Sequence, residues 1–136
     1  MKLEKFPEEY IKRGKFKLHS GQETNTFYDV NEALTNVDIL TEIRLKISSN
    51  YKLYDTYVGI STGGAIIASQ FYPFAMIKDG ELKGTIEGAY CLIDDVVTTE
   101  NSIKDAISII GSKPKKIFVV VDRRKKKTLD IESMYG

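Results

Sequence analysis

The chain has 136 residues, which suits one domain that buries its own core without metals or disulfides. Its formal net charge of +1 makes no electrostatic case for nucleic acid or a membrane surface, and neither is expected as a partner. The single cysteine, Cys91, excludes an internal disulfide; lying in an apolar run, it reads as a buried thiol in a reducing, cytoplasmic setting.

The start, MKLEKFPEEYIKRG, lacks the apolar centre of a signal peptide. Leu3, Phe6, Tyr10 and Ile11 sit near helical spacing, with Gly14 as a stop. KFKLHSG and NTFYDV alternate around a polar link and predict a hairpin outside the main sheet. Thr35 to Asp38 forms a capping box before a helix whose buried face is Ile39, Leu40, Ile43 and Ile47.

YVGIS then reads as strand, GGAIIASQF as helix and FAMI as strand. Residues Val58 to Ile77 carry no charge and are long enough for a membrane span, but Gly59, Gly63, Gly64 and Pro73 divide them into shorter elements. KDGELKGTIEG is a polar, glycine-bearing loop. AYCLID and KIFVVVD lack alternation, as strands covered on both faces do. Between them Ile103, Ala106, Ile107 and Ile110 mark a helix that Gly111 and Pro114 end. RRKKKTLDIESMYG closes the chain as a basic tail.

Alternating strands and helices predict an α/β fold with an open, mostly parallel sheet flanked by helices. Ligands of such sheets sit at the carboxyl ends of the strands. Three strands end in conspicuous residues: Ser61-Thr62-Gly63-Gly64, Asp94-Asp95 and Asp122-Arg123. Adjacent carboxylates can accept hydrogen bonds from vicinal sugar hydroxyls, hold a hydrated Mg²⁺, or simply cap the following turn. Thr98, Thr99, Asn101 and Ser102 precede a helix, whose free N–H groups and dipole favour an anion. Carboxylates for a sugar followed by donors for a phosphate fit a phosphorylated ribose.

This order of apolar strand, Asp-Asp, two apolar residues, Thr-Thr and helix resembles the binding motif of type I phosphoribosyltransferases. Thr62-Gly63-Gly64 resembles that family's pyrophosphate loop, which often contains a cis peptide. FKLHSGQETNTFYDV and VVVDRR narrow the resemblance to the orotate branch, over about Phe16 to Arg124.

The resemblance implies one domain over residues 1–136, with a small N-terminal hood over about 1–36, a core over about 37–124 and the tail over 125–136. It implies transfer of a ribosyl 5-phosphate group from 5-phosphoribosyl 1-diphosphate (PRPP) to orotate, with Mg²⁺ and in a homodimer. Asp94 and Asp95 would hold the ribose hydroxyls and, through water, the metal. Val97 and Thr98 to Ser102, including Glu100, would surround the 5′-phosphate. Thr62, Gly63, Gly64 and Lys78 would meet the diphosphate. Phe27 and Tyr28 would lie beside the base, and Arg123 would pair with its carboxylate. From the residues alone, Phe27 and Tyr28 equally suit packing, and Arg123 equally suits a solvated charge run.

Two positions depart from the pattern. In the mobile basic loop of the family, Ile77 stands for an arginine, Glu81 for the catalytic lysine and Lys83 for a histidine. Lys83 takes the lysine's role if the shorter loop shifts register. Glu100 stands where a phosphate loop would carry glycine, and a carboxylate ~6 Å from a phosphate dianion costs a few kcal/mol. It is therefore not expected to point into the site; Glu100 and Lys104, one helical turn apart, could pair on the outer helix face, leaving the backbone N–H at 100 free to donate. Other readings are a phosphoribosyltransferase for another base, a non-catalytic PRPP or nucleotide sensor, and a generic nucleotide-binding domain.

Overall fold

The structure, a computed structural model, describes residues 5–18, 21, 23–49 and 54–135. A 3-10 turn, Glu8–Tyr10, leads into an antiparallel hairpin of β1 (Ile11–Lys17) and β2 (Glu23–Tyr28). Then follow α1 (Val30–Ala33), α2 (Val37–Ser48), β3 (Thr56–Ile60), α3 (Gly63–Ala68), β4 (Phe74–Lys78) and β5 (Glu81–Lys83). The chain continues through β6 (Tyr90–Val97), α4 (Asn101–Ile110), β7 (Lys116–Asp122) and β8 (Glu132–Ser133).

Among the described residues the main sheet has the order β5-β4-β3-β6-β7-β8, parallel except where β5 meets β4. Successive side chains of a strand leave on opposite faces, so the apolar runs feed two cores. Tyr57, Cys91, Ile93, Phe118 and Val120 pack with Ile39, Ile43 and Ile47 of α2 and Ile67 of α3. Val58, Leu92, Ile117 and Val119 pack with Ile103 and Ala106 of α4. Cys91 is fully buried, and burial pushes its thiol up to about 12.

Residues 58–77 are β3, a loop, α3 and most of β4, and among the described residues no helix is long and apolar enough to cross a membrane. The expected first helix reduces to the 3-10 turn, and Leu3 lies outside the described residues. Phe6 is buried without a helix by ring contacts with Tyr10, Tyr28 and Tyr135. The α2 cap is Asn36, whose side chain accepts from the N–H of Asp38 (2.9 Å) and Ile39 (3.4 Å). Thr35 instead donates its hydroxyl to Glu32 O at 2.6 Å, so the expected capping box does not form.

Two segments expected to be irregular are ordered. KDGELKG folds as the β4–β5 hairpin, with Lys78 opposite Glu81 and Asp79-Gly80 as its two-residue turn. Both turn residues have positive φ (51° and 76°), as a tight hairpin turn requires. The chain after Arg124 is not a solvated tail. It adds β8 beside β7, and Met134 and Tyr135 are buried in the core.

Candidate active site

The site lies at the carboxyl ends of β3, β6 and β7, where three loops converge. β6 does not stop at the aspartates but runs on to Val97. Strand geometry therefore splits the pair: Asp94 lies toward α4 and Asp95 toward α3. Asp94 is 6 % exposed and accepts the Asp95 N–H at 2.8 Å. Burial, and next the Asp95 charge, pushes the Asp94 carboxyl well above the usual carboxylate range.

Asp95 meets the glycine loop. A Cβ on Gly63 would lie 2.7 Å from Asp95 Cβ and 2.8 Å from Asn31 Oδ1. One on Gly64 would collide with Ile93 O, so the loop can approach β6 only without side chains. The Ser61–Thr62 peptide is cis. Ser61 N–H donates to Ile77 O at 2.9 Å, which brings the backbone of Lys78 beside this loop.

Two neighbouring cavities share Val96 and Thr98. One, of about 380 Å³, is bounded by Asp94, Thr98, Thr99, Glu100, Asn101 and Ser102. The other, of about 270 Å³, is bounded by Phe27, Tyr28, Asn31, Asp95 and Arg123 among others. The sequence-derived candidates on β2, β6, the following loop and β7 thus converge. Within FKLHSGQ, His19, Ser20 and Gln22 lie outside the described residues.

Arg123 is not part of a solvated run. Its N–H donates to Val97 O at 2.9 Å, tying β7 to the start of the threonine loop. Its guanidinium donates to Thr26 O (3.1 Å), Thr24 Oγ1 (3.1 Å) and Thr26 Oγ1 (3.0 Å), and sits 4.8 Å from the Tyr28 ring centroid.

The Glu100 carboxylate is turned to Arg124, Thr128 and Leu129, and it is buried rather than laid on an exposed outer face. Glu100 caps α4 with φ at 67°, the left-handed region that favours glycine. Yet its side chain is 3 % exposed and points away from the loop. Its carboxylate accepts from Arg124 Nη1 (2.6 Å), Thr128 N (2.9 Å), Leu129 N (3.1 Å) and the Thr128 hydroxyl. Lys104 does pair with it, at a looser 3.5 Å. Burial acts to raise the Glu100 pKa, but the hydrogen bonds from Thr128, Arg124 and Leu129 prevail and hold it well below the usual range. Arg124 also grips Asp122 through Nε (3.0 Å) and Nη2 (2.8 Å). Arg124, Thr128, Thr24 and Thr26 were not among the residues singled out from the sequence. Only the period-two spacing of Thr24, Thr26 and Tyr28 offered a signal, as one face of a strand.

Lys83 lies on β5 with Nζ 2.9 Å from Glu81 Oε2, both side chains exposed. The segment expected to move is therefore a short paired strand. Among the described residues no cluster of three or more His, Cys, Asp or Glu suits a metal. Asp94 and Asp95 are the carboxylates this site offers to a hard cation, which would reach two divergent side chains only through its own waters.

The chain is 33 % identical over 134 residues to orotate phosphoribosyltransferase of Methanocaldococcus jannaschii, a match covering 83 % of this chain and 75 % of that one. The chain belongs to the orotate phosphoribosyltransferase family. No family model matches the sequence. The fold is similar to that of orotate phosphoribosyltransferase from Aeropyrum pernix, with a TM-score of 0.71 and 23 % identity over 84 % of this chain and 76 % of that one. It is also similar to the orotate phosphoribosyltransferase of Mycobacterium tuberculosis in complex with PRPP, with a TM-score of 0.66 and 19 % identity over 89 % and 86 % of the two chains.

Proposed function

We propose that this protein transfers the 5-phosphoribosyl group of PRPP to orotate, forming orotidine 5′-monophosphate and pyrophosphate. The observation that carries this reading is the pair of adjoining cavities. One offers threonines, a helix N-terminus and Asp94; the other offers Asp95, two aromatic rings and a guanidinium.

In this reading the 5′-phosphate sits against the Val97–Ser102 loop, where N–H groups and hydroxyls donate to it. Glu100 serves through its backbone, since its carboxylate is turned away. Asp94 and Asp95 accept from the ribose hydroxyls, and these donors relieve the unfavourable burial of Asp94. Thr62, Gly63 and Gly64 offer N–H groups to the diphosphate, and Lys78 adds a charge. The base lies by Phe27 and Tyr28 with its carboxylate toward Arg123. Its ring nitrogen bonds to the anomeric carbon as the bond to the diphosphate oxygen breaks; pyrophosphate carries away the electron pair, and the nitrogen's proton passes to pyrophosphate or solvent. The chain contributes alignment and preorganised charge. Asp94 and Asp95 would hold Mg²⁺ through water, and the ion supplies neutralisation of diphosphate charge when bound. A homodimer and a cytoplasmic setting complete the reading and rest on the family resemblance.

A second reading, a PRPP-binding regulator without turnover, is favoured by the Glu81–Lys83 pair, which occupies the charge expected to serve catalysis. The deciding experiment follows pyrophosphate release from PRPP and Mg²⁺ with orotate, then with other bases. Release with orotate alone supports the proposal. Release only with another base reassigns Arg123. PRPP binding without release, shown by titration, supports the regulator.

A further inference from the structure

We infer that Thr24 and Thr26 are positioning residues that aim Arg123 at the carboxylate of the base, so that the hood strand sets base specificity. The inference rests on the function proposed above.

Thr24, Thr26 and Tyr28 alternate along β2 on its half-buried face, while Glu23, Asn25 and Phe27 take the exposed one. That face forms a rail along which the Arg123 guanidinium lies, with both threonine hydroxyls and the Thr26 carbonyl accepting from it. The arrangement is chemically selective. A guanidinium has five N–H donors and no acceptor, so it can be held only by acceptors. Threonine is β-branched and stiff at χ1, so each hydroxyl is presented in a fixed direction.

These bonds occupy both hydrogens of Nη2 and one of Nη1. Among the described residues, one N–H on Nε and one on Nη1 remain; they lie on opposite edges of the guanidinium, so each offers a ligand a single charge-assisted bond. Arg123 itself bounds the cavity that holds Phe27 and Tyr28. The backbone end of the residue is fixed too, by its N–H to Val97 O. A long side chain held at both ends loses little freedom when its ligand arrives, which is where preorganisation raises affinity.

The rail also explains a sequence choice. Valine would suit a half-buried strand face as well as threonine does. Two hydroxyls at alternate positions serve the arginine rather than the strand.

The test compares calorimetric titrations of orotidine 5′-monophosphate, which carries the carboxylate, and uridine 5′-monophosphate, which lacks it. The proteins are the wild type, Thr24→Val/Thr26→Val and Thr24→Ser/Thr26→Ser, with the single valine variants alongside and melting curves to verify folding. The wild type should prefer orotidine 5′-monophosphate. The valine pair should lose roughly tenfold of that preference, with uridine 5′-monophosphate binding unchanged. The serine pair, which keeps both hydroxyls, should retain it. Equal weakening of both nucleotides would make the threonines a mere latch and overturn the inference. An undiminished preference in the valine pair would overturn it as well, leaving the proposed function standing. A wild type without preference, or without binding, would overturn the orotate reading and this inference together.

Discussion

Arg124 Nη1 donates to the Glu100 carboxylate at 2.6 Å, across 24 residues of sequence, and both side chains are 3 % exposed. This contact joins the cap of the phosphate loop to the segment after β7. In the function proposed here it allows an acidic residue to stand in the loop assigned to the phosphate, because the charge is spent on a buried guanidinium.

Removing half of a buried ion pair leaves the other half uncompensated. Glu100→Gln should therefore destabilise the fold by about 3 kcal/mol, read as a lower urea midpoint. Since φ at position 100 is 67°, Glu100→Ala should be less stable than Glu100→Gly by about 1 kcal/mol. Equal stability of the glycine and alanine variants would contradict the left-handed backbone.

The same carboxylate predicts a pH dependence. The pKa values of Glu100 and Asp122 are both lowered in the fold from the ordinary 4.5 and 3.8. Below those values the unfolded chain takes up protons first. The stability these groups contribute is thus complete above their unfolded pKa and is lost as pH falls toward the folded one. The stability gap between wild type and Glu100→Gln should be full at neutral pH and narrow below about pH 4.5. A gap that stays constant down to pH 3 would mean that the fold does not lower the Glu100 pKa.

Asp94 has the opposite sign. Its folded pKa is raised, so ionising it at neutral pH costs stability that is absent in acid. Asp94→Asn should raise the melting temperature at pH 7, with the gain fading as pH falls. It should also lower turnover by on the order of 100-fold, as loss of a preorganised polar contact does. Asp95→Asn should abolish PRPP binding in a titration. Unchanged binding in Asp95→Asn would count against the site itself.

Lys83 offers the sharpest test of turnover. Its exposed pair with Glu81 is worth under about 1 kcal/mol, so the ammonium can exchange to a diphosphate at little cost. Lys83→Ala should lower kcat about 100-fold with PRPP binding retained. Glu81→Gln should raise kcat by freeing the lysine. If neither variant changes pyrophosphate release, Lys83 has no part in the reaction.

The sheet and the threonine loop before α4 were legible because non-alternating runs such as AYCLID can be buried only between two layers, and because hydroxyls followed an Asp-Asp pair at the foot of a helix. What escaped notice depended on distance in sequence. The partners that bury Glu100 lie in RRKKKTL, where Arg124 is chemically indistinguishable from its solvated neighbours. Arg123 was read for its ligand, while its holders Thr24 and Thr26 passed as ordinary strand residues. Asn36 took the α2 cap from Thr35 because both are good caps and backbone geometry chose between them. The Asp-Gly turn signal at 79–80 was present, but a three-residue β5 gives almost no alternation to detect.

The short β4–β5 hairpin also bears on the fidelity of the reaction. A turn of two residues has no long segment to order when substrate arrives, so catalysis should not wait on a slow closing motion. It equally has no length with which to cover the ribosyl centre. If no other segment covers that centre, the base competes with bulk water for the anomeric carbon, and the quantity that records the contest is the nucleotide formed per pyrophosphate released. A value below one would mark a transferase that trades tight coupling for a compact chain.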